Sequence, residues 1–398
     1  MPAEPAIATD VDANPLWGGD WAEVRALWPL ENTVAHLNHG SYGAVTTPVL
    51  EEQQSWRDRM ESNPVRFFRR ELPAALAAAR SEVGAFLGAD EGSLAFVSNA
   101  TSGASTVLSV FPLAAGDAVL LTDHSYGAVR IAAHRFAADR GAAVDTVHVP
   151  LTADDDEAVA AVLGAVHDRT RLVVLDQVTS PTARRLPLVS LIPALHERGV
   201  AVLVDGAHAP GMLAVDLERL GADFFVGNLH KWCCAPRGSA VLHAAKRWRP
   251  VLRPLVASWG EAEGFPLAFD ETGTEDPTAW LSAPRALRVL ERIGLDRLRR
   301  HNVQLAVAGQ LEVARALQVG PADLPRDAAV SMQLVPLPDG VATSVEAADA
   351  LQDRIGETSA VEVAVTSWAG RGFVRVSAQA YNAPADYRRL AADLPSLL

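Results

Sequence analysis

Val204-Asp205-Gly206-Ala207-His208, followed by Gly227-Asn228-Leu229-His230-Lys231, decides how this chain is read. Asp205 ends one apolar run, residues 200–204, and Lys231 follows the next, residues 224–226. Both runs have the β-branched and aromatic character of strands. Ligands of open α/β sheets bind outside the carboxyl ends of the strands. The carboxylate and the amine are therefore expected on neighbouring strands, at one ligand-binding edge.

The surrounding sequence supports such a sheet. Residues 94–97, 119–122, 144–149, 172–175, 200–204, 224–226 and 240–242 read as strands. Leu72, Leu76, Ala79, Val83 and Phe86 recur at helical spacing before the first of them. Val159, Val162, Leu163 and Val166 do so between the third and fourth, and Leu188, Leu191, Ile192 and Leu195 between the fourth and fifth. Near-continuous apolar strands alternating with helices mean an α/β fold, with a mostly parallel sheet covered on both faces. Beyond residue 275 the pattern changes. Helices are expected over 279–293 and 295–317, strands over 330–334, 361–366 and 373–377, and a closing helix over 383–394. These make a smaller α+β C-terminal domain. Residues 37–42 read as a short strand running into a glycine turn. The expected division is an N-terminal arm over 1–60 that joins the small domain, a large domain over 61–294 and the small domain over 295–398.

Composition narrows the partners. With 398 residues the chain should hold two or three units, since single cores stop growing at roughly 250–300 residues. A net charge of −13 counts against sequence-independent nucleic-acid binding, which needs clustered cations to neutralise phosphates. The two cysteines, Cys233 and Cys234, are adjacent, which fits a reducing compartment better than a disulfide framework. Residues 1–15 are acidic and lack the basic and apolar segments of a secretory signal. No apolar run approaches the ~20 residues of a membrane span. The expectation is a cytoplasmic protein with a small-molecule partner.

An aspartate and a lysine at strand ends are what pyridoxal phosphate requires. The lysine amine bonds the cofactor aldehyde, and the aspartate pairs with the pyridinium nitrogen. Either residue alone has a plain reading, a turn cap for Asp205 and a solvated amine for Lys231. Together in register, with His208 and His230 beside them, they point to a cofactor site. The phosphate needs donors, preferably amides at a helix start. Asn99-Ala100-Thr101-Ser102-Gly103-Ala104 follows the first strand and precedes the apolar Val107 and Leu108. It reads as such a start or as an ordinary N-cap, and it lacks the Gly-Lys-Ser/Thr of a Walker loop. No Gly-x-Gly-x-x-Gly turn follows the first strand, which counts against a nucleotide-binding oxidoreductase. The eleven histidines show no metal-ligand spacing.

These residues sit within a wider resemblance. The chain resembles fold-type I pyridoxal-phosphate enzymes of the class V aminotransferase family, and within them isopenicillin N epimerase-like proteins. The resemblance runs from Leu37-Asn38-His39-Gly40-Ser41-Tyr42-Gly43 to Arg375-Val376-Ser377. Its most specific pieces are Val204-Asp205-Gly206-Ala207-His208-Ala209-Pro210-Gly211 and His230-Lys231-Trp232, with support from Asn63-Pro64, Arg70-Glu71 and Gly273-Thr274.

The resemblance implies roles by position. Lys231 would bond the cofactor and Asp205 would hold its ring nitrogen. His208 would lie near the ring oxygen, with Gln177 or Ser180 as further donors. Thr101 with the amides of Ala100 and Ser102, Asn228 and His230 would hold the phosphate. Tyr126 falls where cysteine desulfurases place a histidine stacked on the ring. His124 is the other candidate if the register slips, and a packed turn tyrosine is the plain reading. Arg375 matches the arginine that grips the substrate α-carboxylate, a task suited to its planar fork. Asn38 and Tyr42 are assigned to the same substrate. Arg70, clustered with Arg66 and Arg69, is read as a ligand for a distal substrate carboxylate, a helix start or a subunit contact. Thr274 would reach the phosphate of a neighbouring subunit, which implies a homodimer.

The activity implied is chemistry at the α-carbon of an amino acid or amino-acid-derived peptide. Epimerisation or racemisation comes first, with C–S lysis and transamination as alternatives and a non-catalytic binding protein on the same fold as the contrasting reading. Where cysteine desulfurases carry a nucleophilic cysteine, residues 366–373 read Thr-Ser-Trp-Ala-Gly-Arg-Gly-Phe. That departure disfavours persulfide chemistry, and Cys233 and Cys234 are expected to be packed.

Overall fold

The computed structural model describes residues 21–398 other than Glu91 and Arg326. The acidic stretch 1–15 lies outside them. The chain forms two compact units. The larger comprises Val45–Ser180 and Arg185–Val289, and the smaller Met1–Ala44, Pro181–Arg184 and Leu290–Leu398.

Strand β1 (Ala35–His36) belongs to the smaller unit. The larger unit is built on β2 (Leu94–Val97), β3 (Ala118–Thr122), β4 (Ala143–Val147), β5 (Thr170–Asp176), β6 (Ala201–Asp205), β7 (Phe224–Asn228) and β8 (Ala240–Ala244). They lie in the order β2-β8-β7-β6-β5-β3-β4. Only β8 runs antiparallel to its neighbours in this sheet. The others therefore all end at the same edge. The expected mostly parallel sheet is present, and each strand expected from the sequence has its counterpart.

Apolar side chains on both faces make the strands continuous hydrophobic runs. Val107 and Leu108 of the helix Ala100–Val110 pack with Leu121, Val174, Leu203 and Val226 in one buried cluster. Burying each such side chain contributes roughly 1.5–3 kcal/mol. The helix start is pressed onto β7. A Cβ added at Gly103 would lie 2.7 Å from Val226 Cγ1, so a larger residue there would lift the helix from the sheet edge.

In the smaller unit, β9 (Met332–Pro336), β11 (Ala364–Trp368) and β12 (Arg371–Ser377) form an antiparallel sheet in the order β11-β12-β9. β10 (Val361–Glu362) pairs with β1 instead. The expected strand 361–366 is thus divided between two sheets. The helices Leu295–Ala316, Val345–Ser359 and Pro384–Leu397 accompany them. Tyr387, 1% exposed, ties the last helix to β12 by donating to the Ser377 carbonyl at 2.7 Å.

Two expectations are revised. Residues 37–42 do not continue as a strand, because β1 ends at His36 and His39–Tyr42 forms one helical turn. Gly40 permits this close seat: a Cβ there would lie 2.5 Å from Met332 Sδ. The helix Thr47–Ser62, placed by sequence in the arm, belongs to the larger unit, where Gln53 Nε2 donates to Thr278 Oγ1 at 3.2 Å. Among the described residues, no helix is long and apolar enough to cross a membrane.

Candidate active site

The edge where β5, β6 and β7 end gathers the titratable groups. Asp205 is the last residue of β6, opposite Val226 of β7 and 3% exposed. Its Oδ1 accepts from the Ala207 amide at 3.0 Å. Burial raises its pKa, while that amide and the Lys231 charge pull it down. On the other side, Asp176 ends β5 as the register partner of Asp205 and is 2% exposed. Burial first, and then the charge of Asp205, hold the Asp176 carboxyl well above the usual carboxylate range. The Tyr126 amide and the Ser125 hydroxyl, which faces it short of a formed hydrogen bond, draw it partly back. Sequence reading passed over Asp176. The signal was present, since 172–176 repeats the apolar-run-then-aspartate pattern of 201–205.

Lys231, 9% exposed, lies in the turn after β7. Its Nζ is 3.2 Å from His208 Nε2, and Trp232 Nε1 donates to His208 Nδ1 at 3.3 Å. An indole N–H can only donate, so Nδ1 must accept. A neutral imidazole then carries its proton on Nε2, facing the lysine. An ammonium has no lone pair to receive that proton, so the arrangement suits Lys231 as a neutral amine, in which form its pull on Asp205 and His230 is absent. The turn is held by Gly211 (φ +88°), whose added Cβ would lie 2.4 Å from the Trp232 backbone. His208, assigned to the ring oxygen by resemblance, thus sits against the amine itself.

The helix start Ala100–Val110 is locked from two sides. Asn99 accepts from Ser102 N at 2.8 Å as N-cap, and Asn228, at the end of β7, accepts from Ala100 N at 2.8 Å. Two of the amides assigned to phosphate are therefore engaged by side chains. The Thr101 amide and the Thr101 and Ser102 hydroxyls are the donors best placed by this capping. His230 Nδ1 is 3.2 Å from the Ser239 carbonyl, so Nδ1 bears the proton there. Burial, then the Lys231 charge, push its pKa down to about 4. A phosphate dianion would counter both effects.

The remaining candidates divide by exposure. Tyr126 caps the helix Gly127–Ala138 and is 43% exposed, whereas His124 is buried with Nε2 2.6 Å from the Val149 carbonyl. The two are separated: the tyrosine is exposed at the helix start, and the histidine ties the loop after β3 to the segment that follows β4. Gln177 follows Asp176, and its amide N–H donates to the Asp205 carbonyl at 2.8 Å. Ser180 lies three residues further and is half-buried. Thr274 is exposed beside Gly273 (φ +119°). In the basic cluster, Arg66 pairs with Glu71 at 2.9 Å, while Arg69 and Arg70 are exposed on the π-helical turn Phe67–Glu71.

Arg375, Asn38 and Tyr42 lie in the smaller unit. Arg375 is 3% exposed on β12, which excludes a surface ion pair. Its Nη2 donates to Ser41 Oγ at 3.2 Å and Asn38 Oδ1 at 3.4 Å. The Ser41 hydroxyl donates to Asn38 Oδ1 at 2.7 Å. Asn38 therefore braces the guanidinium, while Tyr42 is 73% exposed. The segment 366–373 is a tight hairpin: Trp368 pairs with Arg371 across Ala369 (φ +50°) and Gly370 (φ +73°). It offers no loop to carry a nucleophile. Cys233 and Cys234 are buried.

The larger unit's edge fits pyridoxal phosphate. Gln177 Oε1 and Thr122 Oγ1 are buried there without hydrogen-bond partners, which suits a polar ligand bearing N–H and O–H groups. An amine, a buried carboxylate and a capped helix start converge on one sheet edge.

Comparison with known proteins identifies the family and the fold. Residues 44–390 match the class-V aminotransferase family. Isopenicillin N epimerase of Amycolatopsis lactamdurans is 34% identical, covering 95% of this chain and 98% of its own. Putative L-cysteine desulfhydrase 1 of Oryza sativa subsp. japonica is 30% identical, covering 93% and 84%. The chain also superposes on a solved variant of C-DES that carries glycine covalently linked to its PLP cofactor, with TM-score 0.79 and 20% identity over 93% of this chain and 98% of that one. Another solved structure, the cystine C–S lyase C-DES with cysteine persulfide, gives TM-score 0.78 at 20% identity over 91% and 97%. With its family match spanning most of the sequence and near-full-length relatives at this identity, the chain belongs to the class-V aminotransferase family.

Proposed function

We propose that this enzyme uses pyridoxal phosphate to remove the α-proton of an amino acid or amino-acid-derived peptide from one face and to return a solvent-derived proton to the opposite face, inverting that centre. The observation that carries the reading is the Lys231 amine 3.2 Å from Nε2 of His208, beside buried Asp205. When bound, the cofactor withdraws the electron pair left at the substrate α-carbon after proton removal. Lys231, as a neutral amine, takes that proton. His208 holds the amine in position and is itself held by Trp232. Asp205 keeps a negative charge opposite the ring nitrogen. Thr101, Ser102 and His230 hold the phosphate, with Asn228 securing the helix that presents them. Tyr126 covers the ring, and Arg375, braced by Asn38, takes the α-carboxylate.

Desulfhydration is the second reading, favoured by the 30% identical relative named for it. It starts with the same proton removal and ends with loss of a β-thiolate. Incubation with candidate amino acids and short peptides in heavy water separates the two. Epimerisation gives α-deuterated product of opposite chirality. C–S lysis gives pyruvate, ammonia and sulfide. Absence of α-deuterium in every substrate, with no such products, would remove both.

Assembly as a cytoplasmic homodimer completes the proposal. Leu255, Val256 and Trp259 are 48%, 56% and 91% exposed a short way before exposed Thr274. A neighbouring subunit would cover this apolar stretch and receive Thr274 at its phosphate. Sedimentation showing a monomer at micromolar concentration would remove this part.

A further inference from the structure

Asp205 has a role in the proposed chemistry and Asp176 has none. The two are register partners on adjacent parallel strands, so their side chains leave the same face of the sheet. They are 3% and 2% exposed. Two buried carboxylates at paired positions of adjacent strands cannot both ionise readily. Asp176 Oδ2 is buried without a hydrogen-bond partner, a costly state for an ionised oxygen and a smaller cost for an acid. Around the pair stand the Ser125 hydroxyl and Tyr126 amide from the loop after β3, and Lys231, with its neighbour His208, from the far side of Asp205.

We infer that Asp176 is a positioning residue for Asp205: the two carboxyl groups hold one proton between them, Asp176 donates it, and Asp205 is fixed as the single negative charge that meets the cofactor ring nitrogen. The upward direction of the Asp176 pKa, from burial and from Asp205, agrees with this. The inference rests on the proposed function only for the ring nitrogen. The shared proton belongs to the protein alone.

Infrared difference spectra of the full-length protein at neutral pH, parent minus Asp176→Asn, test it directly. The parent should show the carbonyl stretch of a protonated carboxylic acid that the variant lacks. A second comparison asks what the proton does. Asp176→Leu removes the donor and should release the cofactor about tenfold more readily on dialysis. It should also move the ¹⁵N resonance of a labelled ring nitrogen toward the deprotonated position. Asp176→Asn keeps a neutral donor of similar shape and should restore most of what Asp176→Leu loses. Absence of the acid band in the parent overturns the inference. So does an Asp176→Asn protein as impaired as Asp176→Leu, because Asp176 would then act as an anion, and so does an Asp176→Leu protein like the parent. If the protein held no pyridoxal phosphate, the proposed function would fail, while the infrared band would still decide the shared proton.

Discussion

The indole nitrogen of Trp232 donates to Nδ1 of His208 at 3.3 Å, and this contact decides which proton His208 presents to Lys231. Removing the donor frees the imidazole to adopt either tautomer. Trp232→Phe keeps most of the buried ring and loses only the N–H. Losing one neutral hydrogen bond of about 1 kcal/mol should lower kcat/KM about fivefold. Cofactor retention should hold. Steady-state kinetics beside a cofactor-release assay checks this, and unchanged kcat/KM would show that the tautomer is not set by Trp232.

Lys231→Ala should abolish turnover and the borohydride-reducible visible absorbance. The amine lies in the turn after β7, against His208, where no other lysine can replace it: the chain's remaining lysine, Lys246, follows β8 in the 3₁₀ turn Lys246–Val251. A reducible chromophore surviving in the variant would place the covalent bond elsewhere.

Asp205→Ala removes the carboxylate buried at the end of β6. Leaving a buried cationic partner unpaired costs about 3–5 kcal/mol, so cofactor affinity or α-proton exchange should fall by roughly two to four orders of magnitude. Cofactor titration of the stripped protein and deuterium exchange at the substrate α-carbon measure the two effects. Losses within tenfold of the parent would take Asp205 away from the ring nitrogen.

Much of this edge was legible in the sequence, because its strands are buried on both faces. Continuous apolar runs such as 201–204 and 224–226 show strand character without help from tertiary contacts. Asp205 and Lys231 could be placed because each follows such a run. Asp176 also follows one, yet its meaning lies in the parallel register with Asp205, which no local pattern encodes. The Trp232–His208 contact escaped for a related reason: it is made by two turns that meet only when β6 and β7 pair. Residues 39–42 were misread because a single helical turn has no repeat to detect, and its seat depends on Gly40 meeting Met332 from a distant strand.

Acid stability should report the buried histidines. His243 and His301 are 6% and 9% exposed, and burial pushes each pKa down from 6.5 to about 4. A histidine depressed in the folded state favours folding fully above its unfolded pKa. That contribution fades as pH falls from 6.5 toward about 4, because the unfolded chain takes up the proton first. Each group contributes a slope of about 1.4 kcal/mol per pH unit in that window. His243→Gln with His301→Gln should flatten the fall of the unfolding midpoint between pH 6 and about 4.5. The Asp176–Asp205 pair acts in the opposite sense: its raised pKa values favour folding at low pH and lose that contribution as pH rises. An acid slope unchanged in the double variant would mean that neither histidine titrates abnormally.

Arg375 gives the sharpest test of substrate recognition. It is buried, and its Nη2 is braced by Ser41 and Asn38. Arg375→Lys keeps the positive charge but loses the planar fork, which is not a conservative exchange at a site that grips a carboxylate bidentately. A lysine would also leave Asn38 and Ser41 holding only each other. For α-amino acids kcat/KM should fall by about a hundredfold, the scale of a lost charge-assisted hydrogen bond near 3 kcal/mol. The corresponding free amines, which lack the carboxylate, should react as poorly with the parent as with the variant. Cofactor absorbance should not change. Arg70→Ala should behave differently: if exposed Arg70 reads a distal carboxylate, only substrates with an acidic side chain should suffer. Equal losses across all substrates, with and without each carboxylate, would make Arg375 a brace for the His39–Tyr42 turn and Arg70 a part of the surface.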